Sequence, residues 1–323
     1  MTGCEWIEGA ALETLLPHRG VNLLIDAVRT SGSGASSSGQ SRLAVGPDMG
    51  LGRGIFLREG ESGPVVIEPA LAEHLALNAI CVLAPDMAKG EIAFFSLISD
   101  FEFLQEARAG APLFAEVRRL RDKGRFRRFE GELKLPDGAP VARGEIMAYT
   151  ADPSSAERRE TAKLLVPPRV REARPVDARL FWWKRPEMIF VDERVDASDD
   201  LSAATYRYTY PPDHPFCPGH FPGNPVMMGI AQWIAAADAA YALALDRAAA
   251  RGASTLESGL AVDADIVRES GSPIAEVRQL VVAAGGPRER PAPLRLERTR
   301  RVGFRDQVRP GETIYIRVQV SPA

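Results

Sequence analysis

The chain has 323 residues, enough for two domains of about 150 residues, each with its own core. Hydrophobic residues make up 45% and charged residues 26%, as in an ordinary soluble globular protein. A formal net charge of -3, with neither half dominated by Lys and Arg, argues against a nucleic-acid partner. Cys4, Cys81 and Cys217 are odd in number and far apart, with no CxxC pair. Neither a disulfide framework nor a zinc site is expected. The opening MTGCEWIEGA lacks a basic segment followed by an apolar core, and the Ala-rich stretches are broken by charge. Neither a signal peptide nor a membrane span is expected, and the expected setting is cytoplasmic.

Taken in order, the chain begins with a strand candidate, Asn22 to Val28. GSGASSSG at 32–39 has the composition of a flexible loop. The stretch Pro69 to Val82 reads as a helix, with Leu71, Leu75, Asn78 and Cys81 spaced by three or four. Four strand-like runs follow: EIAFFSLI, APLFAEVRRLR, GRFRRFEGELKL and APVARGEIMAY. Lys123-Gly124 and Asp137-Gly138 read as hairpin turns between the later runs. One helix followed by an antiparallel meander is an α+β pattern.

Residues 151–174 are polar and carry a proline pair. They are the best linker candidate, with a middle, TAKLLV, that can pack on a domain. The second half repeats the order of the first. EMIFVDERV and LSAATYRYTY read as strands, a Pro/Gly-rich loop follows, and then an Ala-rich helix from about Val226 to Leu245. Strand-like runs return at IAEVRQLVV, LRLERTRRVGF and TIYIRVQV. PHRGVNLLIDAV in the first half parallels KRPEMIFVDERV in the second, a weak internal repeat.

The most informative stretch is DHPFCPGHFPGNPVMMGIAQWIAAAD, from Asp213 to Asp238. His220 sits in a loop stiffened by Pro218, Pro222 and Pro225, which holds an imidazole at low entropic cost. Imidazole is a base near neutral pH. Gly219, Gly223 and Gly229 permit close approach of backbone to a ligand. Gly229 falls near a helix start, where an N–H without an intrahelical acceptor can polarise a carbonyl. From composition alone, an ordinary Pro/Gly-rich connection with an incidental histidine is an equal reading.

GHFPGNPVM followed by MGIAQ resembles the signature of the bacterial 3-hydroxyacyl-acyl-carrier-protein dehydratases, a hotdog family. LLPHRGVNLLIDAV and RPEMIFVDERV resemble that family's first strand. RVGFRDQVRPGETIYIRVQV resembles its long paired strands, and KGRFRRFEGELKLPDGAPVARGEIM its closing hairpin. The resemblance covers most of both halves, apart from the linker and residues 246–295. It implies an α+β double hotdog, each half an antiparallel sheet wrapped around a central helix. It divides the chain into an N-terminal hotdog at 1–152, a linker at 153–174 and a C-terminal hotdog at 175–323 with altered strand order.

In the family the active site joins a histidine from one hotdog to a carboxylate on the central helix of the other. The carboxylate stands fourteen residues after the histidine position. Counted from His220, that position is Ile234, which cannot donate a proton. Placing PVVIEPALAEHLAL against PVMMGIAQWIAAAD matches Pro64 to Pro225 without gaps and puts Glu73 on the carboxylate position. The histidine position of the first half is then Glu59. The two losses are complementary. The resemblance therefore implies one live site, formed by His220 and Glu73, and one dead site at Glu59 and Ile234.

The resemblance thus implies dehydration of a 3-hydroxyacyl thioester to the trans-2-enoyl product, in fatty-acid or polyketide assembly. His220 removes a C2 proton, Glu73 protonates the leaving hydroxyl, and the Gly229 N–H polarises the thioester carbonyl. Phe221, Gly223, Met227, Met228, Trp233 and His214 are candidate substrate contacts. Met227, Met228, Trp233 and Ile234 are equally plausible as core, and His214 as a partner of local backbone. No metal or organic cofactor is expected; the substrate carries phosphopantetheine on an acyl carrier protein or as a CoA thioester. The alternatives are a hotdog thioesterase, an enoyl-CoA hydratase, or a non-catalytic acyl- or carrier-binding partner. A monomer or a homodimer of double hotdogs is expected.

Three departures from the family stand out. Met228 replaces a proline, Leu77 replaces an orienting glutamine, and Asp238 is a rival acid one turn late. His18, in PHR, is expected to help set the first strand. ADIVRESGSPIAEVRQLVV resembles the closing hairpin but precedes the long strands. It is either a rearranged part of the sheet or an insertion.

Overall fold

A computed structural model gives the fold and describes residues 5–46, 50–151, 164–256, 259–287 and 291–323. The first half carries β1 (Ile7–Glu8), α1 (Leu12–Leu15), β2 (Ala27–Ser31), β3 (Ser38–Leu43), α2 (Gly50–Arg53), β4 (Leu57–Gly60), β5 (Gly63–Val66), α3 (Glu68–Leu83), β6 (Ile92–Phe103), β7 (Leu113–Lys123), β8 (Phe126–Lys134) and β9 (Pro140–Ala151). The second carries β10 (Arg174–Pro175), β11 (Glu193–Ala197), β12 (Ala203–Thr209), α4 (Gly229–Ala250), β13 (Gly259–Val267), β14 (Pro273–Ala283), β15 (Arg295–Phe304) and β16 (Thr313–Pro322).

The chain gathers into two compact units. The first comprises Met1–Leu57, Ser62–Arg158 and Pro215–Pro225; the second comprises Arg58–Glu61, Arg159–His214 and Val226–Ala323. The histidine-bearing loop therefore packs in the first unit although it lies far along the chain. Each unit is an antiparallel sheet wrapped around a long helix, so the fold is a double hotdog of the α+β class.

Helix α3 shows why the wrapping occurs. All of its residues are buried, and a helix apolar on nearly every side must be enclosed. Pro69 in the first turn suits the helix start, and Pro85 follows its end. Helix α4 ends at Ala250 with Arg251 as its C-cap, and Gly252 takes a positive φ of 65° just beyond, the usual glycine stop. In β7, Leu113, Ala115 and Val117 are buried while Phe114, Glu116 and Arg118 are exposed, the period of a strand with one face on the core. Gly124 and Gly138 take positive φ at the two expected hairpin turns.

Some elements differ from the sequence expectation. Asn22 closes a 3-10 turn over Gly20–Asn22, and the strand begins only at Ala27. Likewise Pro186 opens a 3-10 turn over Pro186–Met188, and its strand begins at Glu193. The glycine-serine stretch is shorter as a loop than its composition suggests, because Ser38 and Gly39 belong to β3. A Cβ on Gly39 would lie 2.4 Å from the Asn78 side chain, so this glycine lets α3 approach the sheet. Half of the linker candidate, residues 152–163, lies outside the described residues. Beyond it, Leu165 packs on Val195, Val267 and Tyr315 of the second unit.

The two sheets share a spatial order but not a chain order. In the first unit the strands run β1-β2-β3-β7-β8-β9-β6. In the second they run β10-β11-β12-β16-β13-β14-β15. The strand beside the opening hairpin is β7 or β16, and the far strand is β6 or β15. The middle hairpin, β8–β9 or β13–β14, comes after the far strand in the first unit and before it in the second. The β13–β14 hairpin thus completes the sheet by rearrangement and is not an insertion. A hairpin closes its own hydrogen bonds, so its slot can be filled from either chain position. Among the described residues no helix is long and apolar enough to cross a membrane.

Candidate active site

A buried helix must satisfy its polar side chains internally. On α3, the His74 ring bonds to Ser41 Oγ at 2.9 Å, and Asn78 donates to the Gly39 and Ala115 carbonyls at 3.3 Å. Burial holds His74 down at about 3, so it is neutral. Glu73 lies beside His74 in the chain but faces a different neighbour. Its Oε1 is 3.8 Å from His18 Nε2, with side-chain exposures of 5% and 2%. Burial alone pushes the Glu73 carboxyl up to about 8, so at neutral pH it is mostly a protonated acid.

The same histidine meets the loop. The His18 ring lies 5.1 Å from the His220 ring and 5.3 Å from that of Phe221. Phe221 stacks on His220 at 4.5 Å and packs edge-on to Phe94 at 5.6 Å. Burial, then the His220 and Arg19 charges, hold the His18 ring well below the ordinary histidine range. His18 is therefore a neutral imidazole touching both Glu73 and His220, and all three lie in the first unit.

The loop is held from several directions. Phe216 stacks on Phe56 at 5.4 Å, and its carbonyl accepts from Asn22 Nδ2 at 2.9 Å. The Arg19 N–H donates to the Gly219 carbonyl at 3.0 Å, and the His220 N–H to the Phe216 carbonyl at 3.0 Å. The peptide between His220 and Phe221 is cis. A Cβ on Gly219 would fall 2.0 Å from the Arg19 carbonyl oxygen and 2.5 Å from Asn22 Nδ2. Gly219→Ala is therefore expected to push the loop off its seat, at a cost of roughly 1–3 kcal/mol. Urea denaturation measures that cost, and an unchanged midpoint would show that the loop has more room than these contacts allow.

The Glu73 shift has a stability consequence that needs no substrate. An unfolded glutamate loses its proton near 4.5, whereas the folded one keeps it to about 8. Between those values the folded state binds the extra proton, so stability falls as pH rises, by roughly 1.4 kcal/mol per pH unit from this group. Below the window the group contributes no slope. Glu73→Gln cannot ionise, so it is expected to gain on the wild type steadily from pH 5 to pH 8. Parallel unfolding curves across that range would contradict the buried neutral acid.

The other sequence candidates divide between the units. Gly223, with a positive φ of 78°, stays with the loop. Met227, Met228, Trp233 and Ile234 are buried in the second unit, with Gly229 as the first residue of α4. His214 is there too; its Nε2 is 2.9 Å from the Glu187 carbonyl, and its ring packs on Phe190 and Tyr210. The offset that matches Pro64 to Pro225 also matches Glu68 to Gly229, where the two long helices begin. That agreement supports the Glu73–Ile234 match.

The second unit carries a different device at the related place. His18 stands two residues before the 3-10 turn at Gly20, and Lys184 stands two residues before the one at Pro186. Lys184 forms a buried ion pair with Asp238, one turn beyond Ile234 on α4. The Phe190 N–H adds a bond to Asp238 Oδ2 at 2.9 Å. Burial draws the ammonium down and the carboxyl up against their mutual attraction. The Glu59 N–H donates to the Trp183 carbonyl at 2.7 Å. The approach of His18 to the acid was missed from sequence. The one signal for it is the PHR motif, which the sequence alone assigns to support of the first strand.

No family model matches the chain. A 3-hydroxyacyl-[acyl-carrier-protein] dehydratase FabZ of Clostridium tetani is 33% identical over 133 residues, 41% of this chain and 89% of that protein. The FabZ of Bacillus licheniformis is 27% identical over 142 residues, 44% of this chain and 94% of that protein. Among solved structures, the dehydratase heterocomplex ApeI:P from Xenorhabdus doucetiae is similar over 44% of this chain and 92% of that chain, at 16% identity and a TM-score of 0.36.

Proposed function

Because the chain belongs to the hotdog family as a relative of the FabZ dehydratases, we propose that it removes water from a 3-hydroxyacyl thioester. The observation that carries the reading is the buried, protonated Glu73 sharing His18 as a neighbour with His220. Dehydration needs a base for the C2 proton and an acid for the departing hydroxyl. A buried carboxyl that keeps its proton and a nearby imidazole can divide those roles. His220 takes the proton, and its electron pair moves toward the thioester as an enolate. Glu73 then gives its proton to the C3 hydroxyl, which leaves as water, and a 2,3-alkene remains. The base comes from the second half of the sequence and the acid from the first. Phe221 flanks the base and is proposed to line the acyl side.

The thioester is expected on an acyl carrier protein or on CoA, through phosphopantetheine in either case. The test presents 3-hydroxyacyl thioesters of both kinds to the full chain. Growth of enoyl absorbance without free thiol supports dehydration. Release of thiol supports the thioesterase alternative, and binding without either product a carrier-binding role. Because Glu73 must hold its proton, the dehydration rate is expected to fall as pH rises through about 8.

A further inference from the structure

Each proposed turnover leaves the site out of register with the next. His220 ends as an imidazolium holding the C2 proton, and Glu73 ends as a carboxylate. A second substrate needs the reverse. One proton must travel from the loop histidine to the helix carboxylate, and both groups are more than nine-tenths buried.

We propose that His18 is the relay that returns this proton from His220 to Glu73, an inference that rests on the dehydratase reading. Its ring sits 5.1 Å from the His220 ring, and its Nε2 sits 3.8 Å from the Glu73 carboxylate oxygen. Its Nδ1 is buried and has no hydrogen-bond partner among the described residues, so the ring is not tied up in holding backbone. An imidazole both accepts and donates protons. In the resting site, burial keeps His18 neutral beside a neutral acid. After water has left, Glu73 is an anion, and an opposite charge at that distance favours the imidazolium. His18 then accepts the proton of His220 on a lone pair and releases one from Nε2 to Glu73. The net change is one proton from His220 to Glu73; His18 is left as its other neutral tautomer, and a turn of the ring or a tautomer exchange resets it before the next turnover. At the corresponding place the second unit holds Lys184, already committed to Asp238.

The relay and a merely structural role differ in time. His18→Phe keeps a ring in the cavity and removes both nitrogens. In the full chain, rapid mixing should show a first turnover within about twofold of the wild type, followed by a steady rate lower by about tenfold or more. The product trace then has a burst of one enoyl thioester per chain, and free imidazole in the buffer raises the steady rate. Equal losses in both phases, or no loss in either, would overturn the relay while leaving dehydration intact. A wild type that forms no enoyl product removes the dehydratase reading, and the relay falls with it. If His18→Phe does not fold, His18→Asn is read in the same way, since its amide cannot carry a proton between the two groups.

Discussion

Glu73→Gln and His220→Ala are each expected to lower enoyl formation from a 3-hydroxyacyl thioester by roughly 10²–10⁴-fold, with the fold retained. The argument is one of roles. Gln fills the space of Glu73 but has no acidic proton for the departing hydroxyl. Ala at 220 removes the base while the loop keeps its anchors through Phe216 and Gly219. Because the two groups are proposed to act in turn on one bound substrate in a single turnover, the double variant should lose little more than either single one. Glu59→Gln is the control: Glu59 holds the histidine's place in the second unit, where Ile234 stands opposite in the matching, and turnover should persist. Steady-state rates of the four variants against the wild type decide the matter. Full activity in Glu73→Gln would mean that the proton comes from elsewhere, with Asp238 the first alternative.

The Lys184–Asp238 pair predicts the largest change in stability. Lys184→Met leaves a carboxyl and Asp238→Leu an ammonium, each buried and without its charge partner. Breaking such a pair from one side costs about 3–5 kcal/mol. Replacing both residues by apolar ones removes two desolvated charges together, and the double variant should lie close to the wild type or above it. Urea midpoints of the wild type, the two single variants and the double variant form a complete cycle. Additive losses would mean that the pair is not coupled as its geometry implies. Turnover in the double variant should match the wild type, since neither residue belongs to the proposed site.

The motif around His220 is short-range chemistry and was legible as such. Prolines and glycines at fixed spacing determine a loop whatever packs on it. The same holds for the hairpin turns at Gly124 and Gly138, and for the helix starts that align Glu68 with Gly229. Gly39 misled because its purpose is a distant one: it makes room for Asn78, and composition alone assigns such a glycine to a loop. The strand order of residues 259–283 was likewise hidden. Each hairpin has the same local pattern wherever the sheet places it.

What the amino-acid sequence determined by itself was therefore the set of parts: two wrapped helices, two meanders, one histidine loop and one helix carboxyl. Tertiary structure alone decided the state of those parts. Enclosing α3 on all sides made Glu73 a protonated acid near neutrality, brought His18 against it, and placed the loop of residues 215–225 in the first unit. The physical reason is that desolvation depends on everything that surrounds a group, and those surroundings are assembled from residues far apart along the chain.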